Sequence, residues 1–146
     1  MSSSTILTAV DVVDLRIPTS DTLLGSDPFH RKPDYSATIT TLITDSGING
    51  VSINFTVGAG NDWICYGVKN LAQLIINTSL EEFIDDPGAF HKKFIDHHQL
   101  RWLADGCYRM AVGTLLMPCG IYGLNKKISL CGNFLLISHQ KKSSSR

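Results

Sequence analysis

This chain of 146 residues lacks an excess of either charge, a membrane-length apolar run and a leader-like start. Thirteen Lys and Arg residues balance thirteen Asp and Glu residues, so the composition favours neither nucleic acid nor an anionic membrane as a partner. The apolar stretch at residues 128–137 is too short to cross a bilayer. The first thirty residues contain one Arg and four Asp, unlike an Arg-rich transit peptide, and no secretory signal is recognisable. We therefore expect a cytoplasmic protein.

Cysteine and glutamate are scarce, and their spacing argues against a metal site. The four cysteines show no paired metal-ligand spacing, and without an export signal we expect no disulfides. The only glutamates, Glu81 and Glu82, are neighbours, and adjacent residues of a helix do not face each other. His97 and His98 are also adjacent, which favours a polar helix end over an ion site. The sequence therefore predicts neither a metal site nor a catalytic residue within this chain.

The pattern of apolar and β-branched residues predicts three strands. Residues 5–15 partly alternate, residues 36–45 are rich in Thr and Ile, and residues 51–57 follow a turn that contains two glycines and an asparagine. Short turns join antiparallel neighbours, although the first connection is long. Together the three segments predict an antiparallel meander.

The hydrophobic period lengthens from two to about 3.6 after the Gly58–Gly60 turn, which indicates helices. Asn61 is predicted to cap the first helix. One apolar stripe of this helix recurs at helical spacing: Ile64, Val68, Leu71 and Ile75. A later helix places Phe90 beside Phe94, and another is expected from about Gly106. Strands followed by helices indicate an α+β domain with these apolar residues in its core.

A long polar loop from Arg16 to Ser36 separates the first two predicted strands. Pro and Gly punctuate it, and Ser, Thr and Asp fill the positions between them. A structureless loop of about twenty residues is uncommon in a compact domain and is more often functional than accidental. A surface excursion without a role is the alternative.

Five short motifs carry a family resemblance. Three lie in or beside the long loop: Arg-Ile-Pro-Thr-Ser at 16–20, Gly-Ser-Asp at 25–27, and Pro-Asp-Tyr-Ser-Ala at 33–37. The others are Phe-Thr-Val-Gly-Ala-Gly-Asn at 55–61 and Gln-Leu-Arg-Trp at 99–102. On these motifs the chain resembles the L-fuconate dehydratases, acid-sugar dehydratases of the enolase superfamily. They belong to its mandelate racemase and muconate lactonizing enzyme branch.

The resemblance implies an enolase N-terminal-like capping domain, with a three-stranded antiparallel meander followed by a helical bundle. In the family, the long loop closes over a substrate bound in a separate barrel. That barrel supplies the base and the carboxylate ligands of Mg²⁺. The catalytic barrel is absent from this sequence. We therefore expect no cofactor in this chain, although the full-length family uses Mg²⁺.

The resemblance implies that four residues contact the substrate: Gly25, Ser26, Asp27 and Tyr35. Their residue types suit that role. Glycine permits close backbone approach, and the other three offer groups that hydrogen-bond sugar hydroxyls. For Asp27 the alternative is a turn-forming role, and for Tyr35 a core position at a strand edge. Arg101 and Trp102 are predicted to brace the helices, with a pocket wall as the alternative.

From Met117 onward the chain departs from the family in the manner of a reading-frame shift. Codons that encode residues 117–124 also encode, from one base earlier, the family's continuation Asn-Ala-Val-Trp-Asp-Leu-Trp-Ala. The same shift at residues 128–135 restores Lys-Pro-Leu-Trp-Lys-Leu. We therefore predict a capping domain at residues 1–116. Residues 117–146 are predicted to form an out-of-frame, disordered tail that adds nothing to the fold. A natural divergent tail is the alternative.

These inferences favour a truncated capping-domain fragment of an L-fuconate dehydratase-like enzyme, inactive by itself. An interaction module that docks on a full-length relative and modulates it is the alternative, since exposed apolar patches mark interfaces. A small independent enzyme is the least favoured reading. The expected ligand, in the intact enzyme, is an acid sugar, and neither nucleic acid nor a membrane is an expected partner. The resemblance alone admits a mitochondrial location.

Overall fold

The computed structural model describes residues 4–25, 28–29, 34–103 and 105–143, with side chains through residue 128. The strands within these residues are β1 (Leu7–Ile17), β2 (Tyr35–Thr44) and β3 (Gly50–Thr56). The helices within them are α1 (Asn61–Ala72), α2 (Glu81–Asp85), α3 (Pro87–Ile95) and α4 (Cys107–Ser143). Short 3-10 turns lie at Thr19–Asp21 and Arg101–Leu103.

The strands form the predicted antiparallel meander, in the order β1-β2-β3. Val13 pairs with Ile39, and Ile39 pairs with Ile53 on the next strand. A bulge between Leu7 and Ala9 shifts the alternation of β1 near its start. This fold is the α+β architecture that the sequence predicts, and the strand bounds differ from the predicted ones by at most two residues.

Helices α1 and α4 pack on one face of the sheet, which is its inner face. The inner face is rich in hydroxyl side chains, whereas the helices contribute most of the aliphatic core. The residues predicted for the core are all buried: Ile64, Val68, Leu71, Phe90 and Phe94. Helix α3 has a side-chain N-cap, because the Asp86 carboxylate accepts a hydrogen bond from the amide of Ala89 at 2.9 Å. Pro87 follows the cap as the first helical residue, a position that proline favours.

Helix α4 continues through Leu116 to Ser143, which differs from the predicted disorder of the tail. Cys119 and Tyr122 are fully buried, so the tail also contributes to the core. They extend the buried stripe of Leu115 at intervals of four and seven residues, which lie on one helix face. Extending an existing helix also avoids the cost of a new nucleus. The domain boundary at residue 116 and the out-of-frame origin stay predictions.

The second half of α4 packs closely against β3 near Pro118, which lies inside the helix. Pro118 has no N–H, so the carbonyl of Thr114 loses its helical partner. The hydroxyl of Ser52 on β3 donates to this carbonyl at 3.1 Å instead. Gly50 allows β3 and α4 to approach this closely, because a Cβ there would lie 1.9 Å from the carbonyl oxygen of Pro118.

Among the described helices, none is both long and apolar enough to span a membrane.

Candidate substrate-facing site

The candidate site is a shallow recess at the end of the sheet where the long loop leaves β1 and enters β2. The sheet register sets Arg16 beside Ser36 and Ser36 beside Thr56, so the turn after β3 reaches the same end. We call this feature the loop-end recess. It has a volume of about 210 Å³ and is lined by Arg16, Ile17, Pro18, Asp34, Tyr35, Gly58 and Ala59.

Two of the four residues predicted to contact substrate, Gly25 and Tyr35, lie close to each other, and Tyr35 also lines the recess. Gly25 has φ of +80°, a left-handed conformation that favours glycine. A Cβ at Gly25 would lie 3.5 Å from the hydroxyl oxygen of Tyr35, so the loop backbone passes close to this phenol. Ser26 and Asp27 lie outside the described residues. The substrate-contact role of all four residues stays a prediction.

Tyr35 packs its ring against the sheet and keeps its hydroxyl close to Gly25. It is the first residue of β2, it is half-buried, and its ring lies 5.6 Å from that of Phe55. This ring contact anchors the side chain on the outer face of the sheet. The hydroxyl remains directed at Gly25, where it is able to donate to or accept from a sugar hydroxyl.

The two ends of the long loop are tied together next to the recess. The amide of Ser20 donates to the Asp34 carboxylate at 3.0 Å, across fourteen residues. Pro18 precedes the 3-10 turn Thr19–Asp21, which directs this amide back toward the start of β2. The loop is therefore closed at its base, as a loop that covers a ligand needs to be.

Arg16 joins the glycine turn to β1. Its guanidinium donates to the carbonyl of Gly58 at 2.6 Å and to the Asp14 carboxylate at 2.6 Å, and Asp62 lies 3.6 Å away. The hydrogen bond from Arg16 lowers the pKa of Asp14, and the same bond raises the pKa of Arg16. Because the Arg16 side chain is 43% exposed, this pairing contributes little to stability and mainly sets geometry.

Asn61 is the polar centre beneath the recess. Its side-chain oxygen accepts from the hydroxyls of Thr38 and Thr56, each at 2.8 Å, and its amide donates to Asp14 at 2.5 Å. The predicted capping role is wrong, because Gly60 occupies the N-cap and no side chain caps the helix. A fully buried amide needs partners, and the threonines supply them.

The network of Asp14, Arg16 and Asn61 was not predicted from the sequence. The signal was present as period-two polarity, since Asp14 and Arg16 alternate with Val13 and Leu15 along β1. Val12, Asp14 and Arg16 are alternate residues of β1 and therefore lie on the same face of the strand. The two charged residues that follow Val12 predict a polar patch at one end of the inner face. That patch is what holds the Gly58–Gly60 turn beside the loop.

Glu81 holds a structural position away from the recess. Its carboxylate accepts from the amide of Thr5 at 2.7 Å, from the hydroxyl of Ser79 at 2.7 Å and from that of Tyr122 at 3.1 Å, and it pairs with Lys126. Burial raises the pKa of this carboxyl, but the hydrogen bonds from Lys126, Thr5 and Ser79 outweigh it and bring the pKa to about 2. The cluster ties the start of the chain to the second half of α4.

None of the other described polar residues singled out in the sequence lines the recess; Glu82 and His98 are exposed, and His97 is half-buried. Glu82 pairs with Lys93, and the rings of His97 and His98 stack with centroids 5.2 Å apart. Trp102 is 75% exposed, so its predicted role as a brace between helices is wrong for the described chain. Across the described residues, no group of three His, Cys, Asp or Glu side chains is placed to hold a metal ion.

A three-stranded meander backed by helices, with a long loop and a glycine turn at one end of the sheet, defines the class of this protein. It is the N-terminal capping domain of enolase-superfamily enzymes, and the chain belongs to the enolase superfamily. The chain is 36% identical over 111 residues to mitochondrial enolase superfamily member 1 of Bos taurus. It is 33% identical over 105 residues to L-galactonate dehydratase of Hypocrea jecorina.

These matches cover much of the chain but a small part of each relative. The alignment with the Bos taurus protein takes in 73% of this chain and 25% of the relative, and that with the dehydratase 70% and 23%. The chain thus spans about a quarter of the length of the curated relatives it matches. No family model matches the chain.

Solved structures give the same assignment of the fold. The crystal structure of human mitochondrial enolase superfamily member 1 superposes with a TM-score of 0.76 and 29% identity. The superposition covers 84% of this chain and 29% of the human one. An enolase from Bradyrhizobium complexed with magnesium and mandelic acid superposes with a TM-score of 0.63 at 18% identity, which supports the fold alone.

Proposed function

We propose that the chain is the capping portion of an acid-sugar dehydratase, with L-fuconate as the substrate suggested by the loop motifs. In this role it supplies the loop that closes over the substrate and leaves the reacting atoms to other parts of such an enzyme. The observation that carries the proposal is the approach of Gly25 to the Tyr35 hydroxyl beside a loop closed at its base. The resemblance to an L-galactonate dehydratase supports an acid sugar as the substrate class.

The described residues suit orientation of a substrate better than its chemistry. Dehydration requires a base for the proton next to the carboxylate and stabilisation of the resulting negative charge. The two charged residues that line the recess, Arg16 and Asp34, are both engaged within the chain. Arg16 donates to the Asp14 carboxylate, and the Asp34 carboxylate accepts from the amide of Ser20. The metal-ligand set that the family uses does not fit these residues, so magnesium chemistry is not assigned to them. A closing loop contributes by orienting substrate and excluding water.

The test combines binding and turnover. We expect L-fuconate and L-galactonate, added to the isotope-labelled chain, to shift the amide NMR signals of Gly25, Tyr35 and Gly58. Binding should be weak, because a lid without its opposite wall forms only a shallow site. Tyr35→Phe should reduce the shifts. Tyr66→Phe is the matched control, because Tyr66 lies on α1 and is 72% exposed.

Two outcomes would contradict this proposal. The first is the absence of any shift near the recess when shifts appear elsewhere on the chain. The second is keto-acid formation from L-fuconate with Mg²⁺ that co-purifies with the polypeptide, because no described residue set accounts for such turnover. Neutral L-fucose serves as the ligand control for the acid group.

A second candidate function is docking on a full-length enolase-superfamily relative, which would modulate that enzyme. A specific observation favours it: an apolar groove of about 460 Å³ lies between α1 and the start of α4. Its lining includes Trp63, Tyr66, Leu74, Leu100, Leu103 and Tyr108. Calorimetry with the human relative would test docking. We expect Trp63→Ala to weaken binding if this groove is the contact, whereas unchanged affinity would exclude it.

A further inference from the structure

The two faces of the sheet show the reverse of the usual distribution of polar and apolar residues. An antiparallel sheet with one face toward solvent normally turns polar residues outward and apolar residues inward. Here the inner face carries Thr38, Thr40, Ser52 and Thr56, under α1 and α4. The outer face instead carries large exposed apolar side chains from all three strands: Val13, Leu15, Ile17, Ile43, Val51, Ile53 and Phe55.

These outer-face residues form one continuous patch, which we call the outer sheet face. The register places Val13, Ile39 and Ile53 in one row across the strands, and Leu15 and Phe55 flank the next row. From the exposed fractions, the apolar area amounts to about 600 Å², at the upper end of the largest patch on a typical monomer. Patches of this size are often functional, and larger ones mark interaction sites.

The composition of the outer sheet face limits what fits it. Asp11 is the one charged residue among the outward-facing positions of the paired strands, and it lies in the row with Thr41 and Val51, beside the row of Val13, Ile39 and Ile53. A flat, nearly uncharged aliphatic surface offers no pattern for an oppositely charged partner. It is, however, complementary to itself, which is what a two-fold contact between identical chains requires.

We propose that the outer sheet face binds the same face of a second copy of this chain. Two twisted sheets packed face to face make a sandwich with strands about 30° apart and side chains interdigitated. Burying the patch on both copies removes about 1,200 Å² in total, which reaches the lower limit for a stable, specific interface. The proposed function is not needed for this inference, although Ile17 belongs both to the lining of the recess and to the outer sheet face.

The test is the mass of the chain in solution, measured by sedimentation equilibrium and light scattering over a hundredfold range of concentration. We expect the wild type to reach twice the chain mass of 16.0 kDa. Ile53→Lys places a charge at the centre of the outer sheet face, where Ile53 is 59% exposed, and should give the monomer mass. Tyr66→Lys adds the same charge on α1 and should leave the dimer intact.

Further readouts separate dissociation from unfolding. Because Ile53 lies on the surface of a monomer, the circular dichroism spectrum of Ile53→Lys should match that of the wild type. Val51→Lys, on the same face, should dissociate the dimer in the same way. The melting temperature of the wild type should rise with protein concentration, as expected for coupled folding and association.

The proposal is overturned if the wild type remains at 16.0 kDa throughout the concentration range. It is also overturned if Tyr66→Lys dissociates the dimer and Ile53→Lys does not, since the contact would then lie on the helices. A wild type that is monomeric but binds a full-length relative through Ile53 would assign this face to that relative and reject the second copy.

Discussion

The two halves of α4 are predicted to differ in their resemblance to the family but pack in the same way. Residues 107–116 lie within the predicted capping domain, and Ala111, Val112 and Leu115 are buried there. Residues 117–128 belong to the predicted out-of-frame tail, yet Cys119 and Tyr122 are also buried. A helix stripe requires an apolar side chain of suitable size at each inward position, whatever its ancestry. The origin of a segment and its part in the fold are therefore separate questions.

The reading-frame hypothesis makes this separation concrete. The family sequence recovered from one base earlier has Val where Cys119 stands and Leu where Tyr122 stands. Both frames thus place an apolar or aromatic side chain at the two inward positions. The expectation that an out-of-frame tail would add nothing to the fold overlooked this coincidence of spacing.

The second half still carries features that disfavour a helix, and the structure compensates for them. Pro118 and Gly120 both lower helix propensity. The Ser52 hydroxyl replaces the helical partner of the Thr114 carbonyl. Tyr122 and Lys126 add bonds to Glu81. The helix is held there by its tertiary contacts more than by its own sequence.

Among the changes that test the comparison between the two halves of α4, ending the chain at Leu116 should lower stability the most. It removes Cys119 and Tyr122 from the core, and losing one large buried side chain already costs about 3–5 kcal/mol. We expect the free energy of unfolding in urea to fall by at least that amount. A chain that ends at Ile128 keeps both residues and is the matched control. Equal stability of the two shortened chains would show that the second half is not part of the folded unit.

Gly50→Ala should have the next largest effect, because it tests the fit between β3 and the second half of α4. The added Cβ would lie 1.9 Å from the carbonyl oxygen of Pro118 and would force the helix and strand apart. We expect a loss of about 3 kcal/mol, the upper range for overpacking. Gly120→Ala is the control, since nothing lies within 4 Å of a Cβ there and helix propensity improves. Similar losses at both glycines would contradict the close contact.

The pH dependence of stability tests the Glu81 cluster. The folded-state pKa of Glu81 is lowered from 4.5 to about 2, so its stabilisation is complete above 4.5 and is lost as the pH falls toward 2. The side chain is 24% exposed, and we expect a contribution on the order of 2 kcal/mol. Urea unfolding of wild type and Glu81→Gln should therefore differ near neutral pH and converge in acid. A constant difference would contradict the assignment.

Tyr122→Phe should have the smallest effect. It keeps the buried ring and removes only the hydrogen bond of 3.1 Å to Glu81, which should cost about 1 kcal/mol. The measurement is the midpoint of urea unfolding at unchanged slope. Tyr66→Phe on the exposed face of α1 is the control and should be neutral. A loss as large as that from truncation would mean that the ring itself had moved.

Most of the fold was predictable from hydrophobic period. The stripe from Ile64 to Leu71, the Phe90–Phe94 pair and the meander follow from spacing alone, because burial of one face sets that spacing. The hydrogen bonds of Asn61 were not predictable in the same way. They depend on which strands are neighbours, and Asn61 suits an N-cap equally well by residue type. Trp102 was misplaced because an apolar residue type indicates a contact without saying which element supplies it.

Hydrogen exchange along α4 is the most direct measurement of whether its second half belongs to the folded unit. Amides that open only with global unfolding share one protection level, whereas those of a frayed segment exchange rapidly. Because Cys119 and Tyr122 are buried in the core, their amides should be protected to the level of Leu115. Rapid exchange from residue 119 onward, with Ala111 and Leu115 still protected, would contradict it and restore the boundary at residue 116.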